Sequence, residues 1–226
     1  MLADAMKIFV TGGTGYVGQR LLPALLARRH AVRALVRPAS AGRLPAGVEA
    51  VVGDALDAAS FAGAVEAGAT LVHLVGTPHP NPSKALEFQR VDLASIRASL
   101  DAAKRAPAAH LVYVSVAHPA PAMHAYVEAR MAGEAAIEEA GETASLLRPW
   151  YVLGPGHWWP VALIPLYALG EVVPSTRESA KRLGLVSIAQ MVRALVCAVE
   201  APPPPGTRRI VEVPEIRRAQ PEVLSG

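Results

Sequence analysis

The stretch VTGGTGYVGQRL, from Val10 to Leu21, joins two segments of different periodicity. The run KIFV, which begins at Lys7 and ends at the first residue of the stretch, is short and apolar and is typical of a strand. From the last residue of the stretch onward, leucines at 21, 22, 25 and 26 fall on one face of a helix. The glycines between the two segments supply a sharp turn. The stretch therefore predicts a strand, a tight turn and a helix in succession.

The same alternation continues along the chain. Further short apolar runs are predicted to be strands, at residues 31–36, 48–53, 70–75, 110–116 and 144–149. Helical patterns are predicted between them, at residues 58–67, 83–105 and 125–140. Near-continuous apolar strands that alternate with helices are typical of a parallel sheet covered on both faces. We therefore expect an α/β fold with a doubly wound parallel sheet of the Rossmann type.

Composition limits the class of protein. Of the 226 residues, 52% are hydrophobic and 18% are charged, so the chain can bury a core and is not expected to be disordered. The net charge of +3 comes from scattered Lys and Arg residues, so nucleic acid is not an expected partner. Cys197 is the only cysteine, which excludes an internal disulfide, and no ligand spacing suggests a metal site. Without a leader pattern or an apolar run of about eighteen residues, we expect a cytoplasmic protein with no membrane span.

The glycines fit a dinucleotide-binding turn in two overlapping ways. Gly13, Gly15 and Gly18 match the pattern GxGxxG, and Gly12, Gly15 and Gly18 match GxxGxxG. Glycine lets the backbone turn sharply and lets a pyrophosphate approach the N–H groups at the start of a helix. Because the pattern lies between the first strand and the first helix, it predicts a phosphate-binding loop.

The residues after the second and third strands concern the adenosine half of such a cofactor. In NAD-binding proteins an acidic residue about twenty positions after the loop binds the ribose hydroxyls. Here neither Asp nor Glu occurs between Gly18 and Glu49, and Arg37 follows the second strand. A guanidinium can grip a 2′-phosphate, so we expect NADP(H) in preference to NAD. Asp54 either accepts a hydrogen bond from the adenine amine or caps the following helix, a role for which Asp57 competes.

Over residues 6–156 the sequence resembles the short-chain dehydrogenase/reductase superfamily, in its extended or atypical branch (NAD-dependent epimerase/dehydratase-like or NmrA-like). The matching segments, in the family's order, are TGGTGYVG, LVRP, GDALD, VHLVG, FQRVDLASIRASLDAA, YVSV, YVEARMAGE and LLRPWYVLGPG. The resemblance implies that the glycine turn and the ends of the second, third and fourth strands contact the cofactor. The residues so implied are Gly12, Thr14, Gly15, Tyr16, Val17, Gly18, Arg37, Asp54, Ala55, Leu74 and Gly76.

The same resemblance implies a catalytic group. In the family a serine after the fifth strand binds the substrate oxygen, and a tyrosine gives or takes its proton. A lysine four residues after the tyrosine contacts the nicotinamide ribose and lowers the tyrosine pKa. Ser115 and Tyr126 match the serine and the tyrosine, whereas Arg130 stands at the lysine position. Arginine keeps the positive charge, but its planar guanidinium is bulkier than an ammonium group and does not exchange freely with it at a fitted site.

Histidines provide further candidates for proton transfer, because histidine titrates near neutrality. His118, His124 and His157 lie near the expected cleft in sequence order, where they can replace or assist Tyr126. His73 lies in an apolar strand and is predicted to be a core residue whose ring nitrogens are hydrogen-bonded.

The pattern of elements changes after residue 149. Gly154-Pro155-Gly156 marks a break, so we expect an NAD(P)-binding domain at residues 1–156. Residues 157–226 are predicted to form a small C-terminal substrate or lid region packed on that domain. Trp158 and Trp159 line an apolar pocket, cover the nicotinamide or form a subunit contact, and the sequence does not rank these alternatives.

Together these features predict an NADP(H)-dependent oxidoreductase of the short-chain type that reduces a carbonyl-like carbon of a small apolar substrate. Ser115 would hold the substrate oxygen, with Tyr126 as general acid and Arg130 as its electrostatic support. The alternative is a dinucleotide-binding protein without turnover, acting as a redox sensor or an accessory subunit. Expected partners are a small-molecule substrate and either further copies of the chain or a larger assembly.

Overall fold

The computed structural model describes residues 5–156 and 177–221. Its main element is a seven-stranded sheet. The strands of this sheet are β1 (Lys7–Thr11), β2 (Ala31–Val36), β3 (Glu49–Val52), β4 (Thr70–His73), β5 (His110–Val114), β6 (Ala144–Arg148) and β9 (Arg208–Glu212). They lie in the order β3-β2-β1-β4-β5-β6-β9, and every neighbouring pair is parallel. The predicted doubly wound parallel sheet is therefore confirmed.

Helices lie between these strands and after the last of them. The described helices are α1 (Gly18–Ala27), α2 (Ala85–Glu87), α3 (Ala94–Arg105), α4 (His124–Glu139), α5 (Arg177–Arg182), α6 (Ile188–Glu200) and α7 (Val213–Arg218). A π-helical turn at Phe88–Leu93 joins α2 to α3. Shorter 3₁₀ turns occupy Pro38–Arg43, Ala58–Ser60, Ala62–Ala64 and Pro82–Lys84. Two further strands, β7 (Tyr151–Leu153) and β8 (Leu185–Ser187), pair in parallel as a separate small sheet.

Both faces of the central sheet are covered by apolar side chains. On β1, Ile8 and Val10 join one core cluster, together with α1 and α6, whereas Phe9 joins the other, together with α3 and α4. Successive side chains of a strand point to opposite faces, so a strand covered on both sides must be apolar throughout. This explains the unbroken apolar runs of the sequence.

The helix predicted at residues 58–67 is wrong. Two 3₁₀ turns stand there instead, at Ala58–Ser60 and Ala62–Ala64. Phe61 lies between the two turns and is buried, with 1% of its surface exposed. Its ring stacks on that of Phe9, with 5.9 Å between the ring centroids. Burial of this one aromatic side chain outweighs the helical preference of the surrounding alanines.

The described part of the chain beyond residue 156 packs on the same fold. β9 pairs with β6, and α6 contributes Leu195 and Val199 to the core cluster that contains Leu21 of α1. The helix α6 begins with a capping box formed by Ser187 and Gln190. The division of the chain at residue 156 stays a prediction.

The predictions for His157, Trp158 and Trp159 fall outside the described residues. Among the helices that the structure does describe, none is long and apolar enough to cross a membrane.

Candidate active site

The glycine turn closes tightly between β1 and α1. Gly12 has a φ of +76°, and a Cβ at this position would lie 2.7 Å from the carbonyl carbon of Leu74. Gly15 donates its N–H to the Gly12 carbonyl oxygen at 3.0 Å. Gly18, the first residue of α1, would place a Cβ 2.5 Å from the carbonyl oxygen of Gly13. A side chain at Gly12 or Gly18 would therefore push the loop away from β4 or from the helix start.

This turn presents the beginning of α1 at the carboxyl edge of the sheet. The first N–H groups of a helix have no acceptor within the helix and carry a partial positive charge, so they favour an anion. Thr14 and Val17 lie in this loop, as predicted for cofactor-binding residues. Tyr16 stacks against Arg20, whose guanidinium carbon is 4.4 Å from the ring centroid, and its hydroxyl reaches Gly154. Burial raises the pKa of Tyr16, which therefore stays a neutral phenol.

Two arginines lie near the adenosine side of this turn. Arg37 is exposed and directly precedes the 3₁₀ turn Pro38–Arg43. Arg43, at the end of that turn, donates from Nη2 to the Thr14 carbonyl oxygen at 3.1 Å. Sequence reasoning missed Arg43, although a second basic residue six positions after Arg37 was visible in RPASAGR. The two guanidinium groups make this end of the cleft positively charged.

The structure assigns different hydrogen bonds to Asp54 and Asp57, the two residues that compete for the capping role. Asp57 Oδ1 accepts the N–H of Ala59 at 3.0 Å and caps the turn Ala58–Ser60. Asp54 Oδ1 accepts the N–H of Leu56 at 2.9 Å and so stabilises the bend that follows β3. Asp57 therefore has the capping role, and the exposed Asp54 carboxylate, beside the predicted Ala55, stays a candidate for the adenine amine.

Arg130 lies on α4, and its buried guanidinium fills the space beyond the ends of β4 and β5. Nη1 donates to the Val114 carbonyl oxygen at 2.9 Å, and Nη2 donates to that of Val75 at 3.3 Å. Nη2 also lies 2.8 Å from Oδ1 of Asp92, a carboxylate with no exposed surface. A Cβ at Gly76 would clash with the same nitrogen. Arg130 thus occupies the space beside Gly76, at the predicted nicotinamide end of the cleft.

Asp92 holds this arrangement in place from the π-helical turn. Its Oδ2 accepts the backbone N–H of Thr77 at 2.9 Å and the Thr77 hydroxyl at 2.6 Å. Burial acts to lower the pKa of Arg130, but the nearby Tyr126, Tyr113 and Asp92 outweigh it and hold that pKa above its ordinary value. The prediction did not include Asp92, although a lone acid inside the apolar helical stretch FQRVDLASI could have drawn attention to it.

Tyr126 is brought beside Arg130, as expected from their spacing on α4. The Arg130 guanidinium carbon lies 5.3 Å from the centroid of the Tyr126 ring, and the Phe88 ring packs edge-on at 5.1 Å. Tyr113 lies on the other side of the guanidinium at 5.7 Å. Burial raises the pKa of Tyr113 to about 12, so this second phenol is neutral. The positive charge of Arg130 therefore lies next to the Tyr126 ring, and the negative charge of Asp92 partly offsets it.

Ser115 follows β5 and is 2% exposed. Its hydroxyl donates to Oε1 of Glu134 at 2.5 Å. Glu134 also accepts Nε of Arg148 at 3.0 Å and forms a close contact with Nη2 of the same arginine. Nε2 of His118 lies 3.5 Å from the same Oε1. Sequence reasoning named Ser115 and His118 but missed the carboxylate that joins them.

Two other histidines are structural. His73 has no exposed surface, and its Nδ1 lies 3.0 Å from the hydroxyls of both Thr11 and Ser99. Burial, with a smaller contribution from the Arg130 charge, lowers the pKa of His73 to about 3. His110 is 1% exposed, and burial lowers its pKa to about 4. Both rings are neutral at pH 7, and the prediction of a core role for His73 is confirmed.

The chain's own residues fit a dinucleotide along the carboxyl edge of the sheet. The cradle at Gly12 and Gly18 has no room for side chains, the start of α1 suits a pyrophosphate, and the exposed Arg37 suits a phosphorylated ribose. In the sheet order, the β3-β2-β1 side carries the adenosine candidates, and the β1-β4-β5 side carries Ser115 and Arg130. Among the described residues, no group of three His, Cys, Asp or Glu side chains is arranged to hold a metal ion.

The family model described as NAD(P)H-binding matches residues 12–156. The chain belongs to this NAD(P)H-binding family. The match covers the glycine turn and every candidate catalytic residue up to Gly156, which is the part of the chain that carried the resemblance.

Two curated proteins that are similar to this chain carry the names of reductases. Ceramide reductase of Caulobacter vibrioides (strain NA1000 / CB15N) is 28% identical over 222 residues, which cover 96% of this chain and 68% of that protein. The 4-hydroxy-2-methyl-3-oxo-4-farnesyl-3,4-dihydroquinoline-1-oxide ketoreductase of Stigmatella aurantiaca is 33% identical over 112 residues. That match covers 49% of this chain and only 33% of the ketoreductase.

Solved structures share the fold. A short-chain dehydrogenase/reductase superfamily protein from Agrobacterium tumefaciens with bound NAD matches with a TM-score of 0.66 and 19% identity, covering 91% of this chain and 77% of that one. The enzyme WbmH of Bordetella bronchiseptica, in complex with NAD⁺, matches with a TM-score of 0.66 and 21% identity, covering 88% and 73%. The likeness to these structures shows the fold, and the family match confirms the predicted resemblance at the level of the NAD(P)H-binding family.

Proposed function

We propose that this protein is an NADP(H)-dependent reductase that acts on a carbonyl-type carbon of a small apolar substrate. The observation that carries the proposal is the grouping of Ser115, Tyr126 and Arg130 around the end of β5, on the same sheet edge as the glycine turn. Arg130 connects the group, since it donates to the carbonyl of Val114, next to Ser115, and lies under the Tyr126 ring.

The chemistry divides between cofactor and chain. When bound, the reduced nicotinamide supplies a hydride for the carbonyl carbon. Tyr126 is the predicted general acid and donates to the carbonyl oxygen. Ser115 holds the same oxygen by turning its hydroxyl hydrogen from Glu134 to the substrate. The Arg130 charge favours the phenolate that remains after the proton has left, and the Phe88 ring keeps the phenol in position.

The preference for NADP(H) rests on Arg37 and on the absence of an acidic residue between Gly18 and Glu49. We expect NADPH to raise the melting temperature more than NADH does. Replacing Arg37 by Ala removes a charge-assisted contact of about 1.5–3 kcal/mol, which corresponds to roughly a 10- to 100-fold loss of NADPH affinity. The matched control is Arg105→Ala, which removes an exposed arginine from α3. Equal shifts with both cofactors would remove the role given to Arg37.

The apolar substrate is supported by the names of two relatives, because ceramide and a farnesyl-bearing quinoline are both largely hydrocarbon. The test is NADPH oxidation with 2-decanone, acetophenone, decanal and phenanthrenequinone. We expect Tyr126→Phe to bind NADPH like the wild type and to lose turnover. Unchanged turnover would exclude the phenol as the general acid.

A second function is favoured by one specific observation. Arg130 is held by Asp92 and by two backbone carbonyls, so its guanidinium is less available to a nicotinamide ribose. This arrangement suits a protein that binds the dinucleotide without turnover, as a redox sensor or an accessory subunit. NADPH binding without oxidation of NADPH by any carbonyl compound, together with a large assembly on native sizing, would support this alternative.

A further inference from the structure

A contact between Tyr16 and Gly154 joins two distant segments of the chain at the carboxyl edge of the sheet. Gly154 follows β7 directly and is buried. A Cβ at this position would clash with the Tyr16 hydroxyl oxygen and would lie 2.8 Å from Cγ2 of Ile188. The tip of the phenol therefore packs against the bare backbone of Gly154, where a side chain has no room.

The other end of Tyr16 is fixed by α1. Arg20 donates from Nη1 to the Tyr16 carbonyl oxygen at 2.8 Å, and its guanidinium carbon lies 4.4 Å from the centroid of the Tyr16 ring. The same arginine thus holds both the backbone and the ring. Tyr16 stands between Gly15 and Val17 in the turn. A displacement of the phenol would therefore also displace the N–H groups that the turn presents to a pyrophosphate.

Gly154 cannot recede from the phenol, because its segment is held on both sides. On one side, Ala117 donates its N–H to the Pro149 carbonyl oxygen at 2.9 Å. On the other, Leu153 pairs with Ser187 in the ladder of β7 and β8, and Ser187 begins α6 with a capping box. Strain at the contact must therefore be taken up by the glycine turn.

We propose that Tyr16 is a positioning residue of the pyrophosphate-binding turn, and that the bare backbone of Gly154 is the surface against which it is positioned. This inference rests on the proposed use of NADP(H) and does not depend on turnover. A side chain at position 154 would push the phenol, and with it the turn, out of place. The turn would have to return against that side chain when a pyrophosphate binds, so the strain would be measured as a loss of cofactor affinity.

The test measures binding of NADPH to the full chain by isothermal titration calorimetry. Gly154→Ala should raise the Kd for NADPH roughly 10- to 100-fold, the size expected for one methyl group forced into a packed site. The control Gly63→Ala, where an added Cβ has no neighbour within 4 Å, should keep the wild-type Kd. Adenosine 2′-monophosphate has no 5′-phosphate to reach the turn, so it should bind Gly154→Ala and the wild type equally. A general loss of structure would weaken both ligands.

A second substitution identifies the neighbour that is responsible. Tyr16→Phe removes the hydroxyl that the new methyl group would meet, so Gly154→Ala/Tyr16→Phe should bind NADPH as tightly as Tyr16→Phe alone. Gly154→Ala/Ile188→Ala relieves only the other clash and should bind as weakly as Gly154→Ala. If Gly154→Ala does not fold, Tyr16→Ala decides: it should raise the Kd for NADPH about 10-fold, because an unsupported turn must be ordered on binding.

The outcomes separate this inference from the proposed function. A wild-type Kd for NADPH in Gly154→Ala, or in Tyr16→Ala where that variant decides, overturns the positioning role and leaves the proposed function intact. Failure of Tyr16→Phe to restore the affinity of Gly154→Ala also overturns it. A wild-type protein that binds no NADPH overturns the proposed use of NADP(H) and this inference together.

Discussion

Removal of the Asp92 carboxylate tests whether Arg130 is held as the structure indicates. Asp92 is fully buried, pairs with Arg130 at 2.8 Å and accepts two hydrogen bonds from Thr77. Asp92→Ala therefore leaves a buried guanidinium without its counter-charge and two donors without an acceptor. Breaking a buried pair from one side costs about 3–5 kcal/mol. We expect a loss of this size in the free energy of unfolding.

The corresponding fall in melting temperature is roughly 6–20 °C, since a chain of this length loses about 2–4 °C per kcal/mol. Urea unfolding followed by circular dichroism measures the change directly. The matched control is Asp101→Ala, which removes an exposed carboxylate from α3 and should change stability by less than about 0.5 kcal/mol.

A double-mutant cycle separates the ion pair from ordinary packing. Asp92→Leu and Arg130→Met should each destabilise, and the double variant should be at least about 2 kcal/mol more stable than the sum of the two losses, because no unpaired charge remains. Additive losses, or an Asp92→Ala variant as stable as Asp101→Ala, would refute the buried pair and the account of Arg130 built on it.

Two further predictions concern stability. His73 and His110 have pKa values of about 3 and about 4 in the folded state and about 6.5 when unfolded, so their contribution is complete above pH 6.5 and is lost as pH falls toward the folded values. Each histidine should lower the free energy of unfolding by about 2 kcal/mol between pH 6.5 and pH 5. In urea titrations, the free energy of unfolding of His110→Gln should therefore fall less with acid than that of the wild type. An identical fall in both proteins would contradict this prediction. Gly76→Ala would drive a methyl group into the Arg130 guanidinium and should lower the free energy of unfolding by about 1–3 kcal/mol, measured by heat or urea. The control Gly63→Ala, where an added Cβ has no neighbour within 4 Å, should leave stability nearly unchanged. Equal losses in the two variants would argue against the close approach of Arg130.

Much of the sheet could be predicted because its signals are local. β2 and β6 begin where their apolar runs begin, and the glycine turn carries its own backbone requirement at Gly12. The failure at residues 58–67 has a tertiary cause, since only the fold shows that Phe61 must reach Phe9. Local periodicity contains no information about such a contact.

In the candidate site, some residues could be identified from the sequence, whereas their partners could be identified only from the fold. Ser115, Tyr126 and Arg130 were identified through the resemblance to a known family, and the structure places Tyr126 and Arg130 in contact. Their partners come from other elements: Asp92 from a π-helical turn and Glu134 from later on α4. Sequence spacing does not show which buried charges meet across a fold, so the counter-ion of Arg130 and the acceptor of Ser115 were both missed.

The π-helical turn at Phe88–Leu93 makes helix length as important as helix composition. One residue more or fewer in a helix rotates everything beyond it by about 100°. Loss of a single residue here would restore a regular α-helical phase and turn Asp92 away from the sheet, leaving Arg130 uncompensated. We therefore expect the extra residue of the π-helical turn to be inherited together with Asp92 and Arg130. Proteins descended from this chain should keep all three or lose all three, although they lie in two distant segments.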